Sequence, residues 1–266
     1  MELQSLPSEH RKNRSWRPGA RAFTITEMLV VIAVVALLIA LVVPALSRAR
    51  SAARGTSCQS NLKQVATSVQ TYLQSFQETY PFATAGSPFF ASPPEESSNK
   101  AFVSSSSHWE LSRLWMSPLG SVSPWRSNFS VWICPGAQRR SGEPWVTETG
   151  ERPISSYRFL SGFFARPEVW HDGALPNNDL LKCVRVADVL SPSGKAMFVD
   201  AEMAHNVGGR PSTAGTPEGP PTPILFADSH VRMLRPTEAR KPGRNPFTGT
   251  SLPLYDTVNG VRGVDF

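Results

Sequence analysis

Apolar residues are laid out along this chain in two ways. From Met28 to Leu46 the run MLVVIAVVALLIALVVPAL holds 19 residues without a charge; at 1.5 Å per residue that is roughly 28 Å of helix, close to the thickness of a bilayer's hydrocarbon core. Beyond it the apolar positions recur at steps of three and four, at Leu62, Val65, Val69, Leu73 and Phe76, which predicts a helix with one apolar face. Pro81 ends it. The two patterns together predict one helix from Thr24 to about Glu78, roughly 80 Å long if unbroken, with Pro44 as a kink. Later segments rich in aromatic and β-branched residues predict strands at Asn128 to Cys134, Tyr157 to Phe164, Val184 to Val189, Lys195 to Val199 and Ile224 to Leu234. Residues 82–127 and 206–223 are rich in Ser, Pro and Gly and read as loops. The apolar face of the helix's second half needs a surface to cover, and those strands are the candidate within the chain. The expected fold is α+β: a long N-terminal membrane-spanning stalk helix packed on a small antiparallel sheet with long loops. It divides into a basic leader (1–22), the stalk (23–80, its transmembrane half at about 28–46) and a β-rich globular domain (81–266).

Composition narrows this picture. With 40% hydrophobic and 18% charged residues, the chain is no collagen, disordered tail or multi-span transporter. All but three of the 24 prolines (Pro7, Pro18 and Pro44) lie beyond residue 80, a density that calls for short strands and irregular connections rather than helices. The net charge of +6 is partly local, because the leader carries Arg11, Lys12, Arg14, Arg17 and Arg21 against Glu2 and Glu9, leaving 22 basic and 19 acidic residues elsewhere. No basic stripe tracks along the chain, so nucleic acid is not an expected partner. Cys58, Cys134 and Cys183 lie far apart with no CxxC pairing, which excludes a zinc ribbon or a thioredoxin-type site. In an exported domain they allow one disulfide and leave one thiol over.

An export signal has a shorter apolar core and a small-residue cleavage site after it. Here strong helix formers continue through Ser47 to Arg50, so the segment reads as an uncleaved span on its far side, and a plain signal anchor stays open as a reading. The basic leader favours a cytoplasmic N-terminus, with Arg48, Arg50 and Arg54 on the far flank reducing the contrast. Glu27 abuts the apolar run. A carboxylate at that depth costs a few kcal/mol on insertion scales and calls for a partner.

At this point the residues resemble a family. RAFTITEMLVVIAVVALLIALVVPALSRARSAARGTSCQSNLKQ is similar to the N-terminus of prepilin-like proteins, the pseudopilins of type II secretion and type IV pilus systems, whose pilin fold is also a stalk helix on a small sheet. The resemblance implies that prepilin peptidase cuts between Ala22 and Phe23, that Phe23 becomes an N-methylated terminus, and that Glu27, fifth in the mature chain, pairs with the terminal amine of a neighbouring subunit. A buried carboxylate and ammonium are tolerable together where each alone is costly. Pro44 falls where the family often has proline. Ala22 stands where the family has Gly, which implies slower processing. The implied partners are the peptidase, other pseudopilin subunits and the inner-membrane assembly platform. The implied location is the inner membrane, single-pass, with a cytoplasmic N-terminus and a periplasmic C-terminal domain.

Further landmarks of a pseudopilin-like subfamily are Ile133-Cys134-Pro135, Ser155-Ser156-Tyr157 and Ser193-Gly194-Lys195 through Asp200. They imply Cys58–Cys134 as the disulfide and Cys183 as the reduced thiol. The subfamily's C-terminal module, His, nine residues, then Asp-Gly, is matched only in part. Ile224 to Val231 fits its second half with Ser229 in place of Gly, Glu218 occupies the His position, and His205 to Gly209 resembles a displaced first half.

The residues also offer a candidate for chemistry. Met197 to Asp200 and Leu225 to Asp228 are apolar stretches that each end in Asp; were their ends adjacent, Asp200, Glu202, His205, Asp228 and His230 would converge into a carboxylate–imidazole set suited to calcium or another divalent metal. Against this, aspartates end strands because they begin turns. No Gly-x-Ser-x-Gly, His-Glu-x-x-His or phosphate loop occurs, so the expectation is a structural subunit without catalytic residues or a required cofactor. A membrane-anchored periplasmic hydrolase using His205, Asp228 and His230, and an anchored binding module using Trp109, Trp115, Trp125 and Trp132, are the competing readings.

Overall fold

The computed structural model describes residues 23–82, 115–124, 129–135, 155–171, 173–175, 180, 182–200 and 221–266. Helix α1 runs from Ile25 to Ser75, continuous through Pro44. The chain divides into two compact units whose boundary falls within this helix, between Leu46 and Ser47. In the first unit every described residue, Phe23 to Leu46, is exposed. The second unit holds the rest of the helix and all of the sheet.

That sheet has four antiparallel strands in sequential order: β1 (Tyr157–Phe159), β2 (Ala196–Asp200), β3 (Thr222–Phe226) and β4 (Val231–Leu234). A long apolar helix beside a small antiparallel sheet is an α+β layout, as the hydrophobic pattern predicts. Both central strands, β2 and β3, are buried throughout, so each face of the sheet must be covered. One face meets the second part of α1. Cys58, Leu62, Val65, Val69, Tyr72 and Leu73 pack there with Phe159, Phe198 and Leu225, and Phe76 lies at the margin. Trp115 and Trp132 close this core; their ring centroids lie 5.0 Å apart and the Trp115 indole N–H donates to the Tyr157 carbonyl at 2.9 Å. These two tryptophans are core residues, and Trp109 and Trp125 lie outside the described residues. The other face packs Leu160, Val199, Ile224 and Phe226 against Leu254 and Tyr255 of the C-terminal segment, a cover the hydrophobic pattern did not announce.

Three of the expected strands take other forms, and a fourth, Tyr157 to Phe164, is strand only over Tyr157–Phe159 before a 3-10 turn at Ser161–Phe163. Within Asn128 to Cys134, Phe129–Val131 is a 3-10 turn because side chains satisfy the backbone there in place of a ladder. The Asn61 amide of α1 donates to the carbonyls of Ser130 (3.0 Å) and Ile133 (3.1 Å), the Ser155 hydroxyl donates to the Trp132 carbonyl (2.6 Å), and the Cys134 N–H donates to the Ser156 hydroxyl (2.6 Å). Val184 to Val189 makes one bridge, Arg185 to Thr79, and then turns at Val186–Asp188, where the Asp188 carboxylate accepts the Arg185 N–H at 3.0 Å. Ile224 to Leu234 is a hairpin rather than one strand. The chain reverses between Phe226 and His230, and Ser229 sits at φ +73°, in the left-handed region that glycine adopts most easily. The position where the resembling module carries Gly is therefore one whose backbone favours Gly. Its hydroxyl accepts from the Gln70 amide of α1 at 3.1 Å.

The C-terminal segment is fastened by buried polar groups. Lys195 is fully buried, with its ammonium 2.9 Å from the Asp265 carboxylate and 2.6 Å from the Thr257 hydroxyl. Burial pushes this lysine below its ordinary range and Asp265 pulls it partly back. Gly260 lies at φ +56°, with its Cα against the Trp170 ring where any Cβ would collide, so this turn admits only glycine.

Candidate functional site

Among its described residues the first unit presents an apolar helical surface with one charged residue, Glu27, in the first turn of α1. Its sequence, Thr24-Ile25-Thr26-Glu27, makes a reciprocal cap. The Glu27 carboxylate accepts from the Thr24 N–H (2.8 Å) and hydroxyl (2.9 Å), while the Glu27 N–H donates to the Thr24 hydroxyl (3.2 Å). Glu27 thus closes the start of its own helix, a role legible in the T-x-x-E spacing. Phe23 is exposed directly before it; Ala22 lies outside the described residues. From Ile25 to Leu46 the helix offers Ile, Leu, Met and Val side chains on all sides, and it is long and apolar enough to cross a membrane once. A helix that is apolar all round is stable only where its surroundings are apolar.

In the second unit a disulfide joins Cys58 of α1 to Cys134, with Cα atoms 5.1 Å apart, and Cys183 is buried outside the disulfide. The bond ties α1 to the segment that Asn61, Ser155 and Ser156 hold. Asp200 is buried beside it, its carboxylate within 4.8 Å of both sulfurs; the two sulfurs are bonded to each other, so this trio is a core neighbourhood and not a ligand set. Burial raises the Tyr157 phenol far above its ordinary range, and the Asp200 carboxylate adds to the effect.

The structure separates the two aspartates of the proposed metal set. Because β2 and β3 are antiparallel, the ends at which Asp200 and Asp228 stand lie at opposite ends of the pair. The Asp200 carbonyl accepts from the Thr222 hydroxyl at the start of β3, whereas Ala227, just before Asp228, donates to the carbonyl of Lys195 at the start of β2. Five residues of strand, about 17 Å, separate the two levels. Glu202 and His205 lie outside the described residues. Asp228 and His230 do meet, with Oδ1 and Nδ1 2.5 Å apart, and the His230 ring stacks on Phe226 at 4.2 Å. This is a partly exposed turn closure, the role that aspartate commonly has at a strand end.

A model of a family described as "Protein of unknown function (DUF1559)" matches residues 47–135, about a third of the chain. The match begins where the second compact unit begins and takes in the Cys58–Cys134 bridge with the helical face that packs on the sheet. No curated protein and no solved structure matches the chain.

Proposed function

We propose that this chain is a pseudopilin-like structural subunit. Prepilin peptidase trims it between Ala22 and Phe23, the Phe23 amine is methylated, and the segment from Phe23 to Leu46 holds it in the inner membrane and packs against other subunits at the assembly platform. The globular unit faces the periplasm, and the filament it joins serves secretion or a pilus-related system. The protein is a substrate of an enzyme rather than one itself.

The observation that carries this reading is an exposed, all-round apolar helix whose single carboxylate lies in its first turn, four residues after Phe23. The cap that Glu27 makes with Thr24 serves a plain anchor equally; an assembling helix uses the same charge to fix register against a neighbour's ammonium. The disulfide suits an oxidising compartment.

The test is mass spectrometry of the protein isolated from cells with an active peptidase. The expected terminus is N-methylated Phe23, and Ala22→Gly should speed its appearance. An intact Met1 terminus would sink the proposal in favour of a plain anchor. A swapped membrane helix gives a second arm: loss of function supports assembly through this helix, and retained function supports an anchored binding module.

A further inference from the structure

The C-terminal segment borders a half-open cavity of about 280 Å³ whose wall includes Arg240, Lys241, Leu254, Thr257, Val264 and Asp265. Its charge is not balanced. The single acid, Asp265, is buried and already engaged: its Oδ2 accepts from the Lys195 ammonium (2.9 Å) and the Ala196 N–H (2.9 Å), and its Oδ1 accepts from the Thr257 hydroxyl. Lys195 therefore neutralises it from behind the wall. Arg240 and Lys241 are exposed at the rim and have no ion-pair partner among the described residues. Arg232, Arg235 and Arg244 lie in the same stretch, against one acid, Glu238. A concave, partly apolar wall beneath unpaired cations concentrates positive potential inside it.

The wall is also pre-formed. The Arg240 N–H donates to the Asp265 carbonyl at 2.8 Å and the Gly243 N–H to the Asp256 carbonyl at 2.7 Å. Asp256 in turn accepts from the Asn245 amide (2.8 Å), the Thr250 hydroxyl (2.9 Å) and the Leu252 N–H (2.6 Å). A ligand would not have to order these loops, which is the costly part of many weak sites. The volume lies near the lower end of the range for small-molecule pockets, so the occupant is small.

We infer that this cavity binds a small organic anion, a carboxylate or phosphate ester no larger than a monosaccharide, with its anionic group between Arg240 and Lys241 and its body against Leu254 and Val264. The site does not depend on the membrane-proximal reading of the helix, and its test is separate. The full chain in detergent micelles is titrated calorimetrically at low salt with sodium glucuronate, glucose 6-phosphate and glucose. Binding of at least one anion, without binding of glucose, supports the site, and the anion preferred identifies the headgroup. Arg240→Ala combined with Lys241→Ala should weaken that binding about tenfold or more, the effect of losing a charge-assisted contact, with the thermal midpoint unchanged. Lys241→Glu, at an exposed position, is a second variant that should abolish binding even where the double substitution lowers expression. The inference is overturned if neither anion binds, if glucose binds as well as they do, or if folded Lys241→Glu protein binds like the parent.

Discussion

Residues 28–46 and 58–73 belong to one helix and are both strongly apolar, yet they bury in opposite ways. In the first stretch apolar side chains point in every direction and all are exposed. In the second they fall on one face, at Cys58, Leu62, Val65, Val69, Tyr72 and Leu73, and that face is buried against the sheet of the same chain. The contrast shows that apolarity alone does not name a partner. A one-sided pattern is completed by a partner that covers one side, here a sheet; an all-round pattern is completed only by an apolar medium or by several neighbours at once.

The largest expected break in this contrast comes from the bridge. Replacing Cys58 and Cys134 with Ser frees a loop of 76 positions and should lower the stability of the globular unit by about 4 kcal/mol, read by guanidinium denaturation, while membrane insertion is unchanged. An unchanged midpoint would mean that the bond between α1 and the segment around Cys134 adds nothing to the stability of the globular unit.

A pair of matched truncations comes next. Leu62→Ala, at a fully buried site, should cost about 3 kcal/mol, whereas Leu38→Ala, at an exposed one, should leave the denaturation curve of the globular unit where it was. Equal effects would erase the distinction between the two stretches.

Glu27 separates the cap from the charge. Glu27→Ala loses both and should cost about 1 kcal/mol at the helix start, whereas Glu27→Gln keeps the reciprocal cap and loses only the charge. Filament cross-linking is expected to fail in Glu27→Ala and to fall between in Glu27→Gln. Gln protein that cross-links like the parent would assign the residue's role to capping alone.

The smallest effect is expected at the hairpin. Ser229→Gly removes the strain of φ +73° but also the contact to Gln70, and should raise stability by about 0.5 kcal/mol. A lower thermal midpoint would show that the bond from Gln70 outweighs the backbone strain.

The helix could be read from the sequence because its signals are local. Nineteen uncharged residues fix the first stretch, and the three- and four-residue spacing from Leu62 fixes the second. Strand ends were less legible: Asn128 to Cys134 has strand-like residues, but Asn61, distant in sequence, and Ser155 and Ser156 take its backbone bonds. The expected adjacency of Asp200 and Asp228 failed for a related reason. Two stretches ending in Asp look alike in sequence whether their strands run parallel or antiparallel, and only the register places Asp200 and Asp228 at opposite ends.

By itself, then, the sequence determined the helix, its two kinds of surface and an α+β layout, since each follows from the spacing of apolar residues. The tertiary structure alone decided which polar residues of the C-terminal segment are buried. Lys195, Thr257 and Asp265 are separated by up to 70 positions and carry no shared pattern, yet they meet because the segment after β4 folds back over the sheet. A buried ammonium such as that of Lys195 is tolerable because an opposite charge and a hydroxyl reach it from positions distant in sequence, and no local pattern records that arrival.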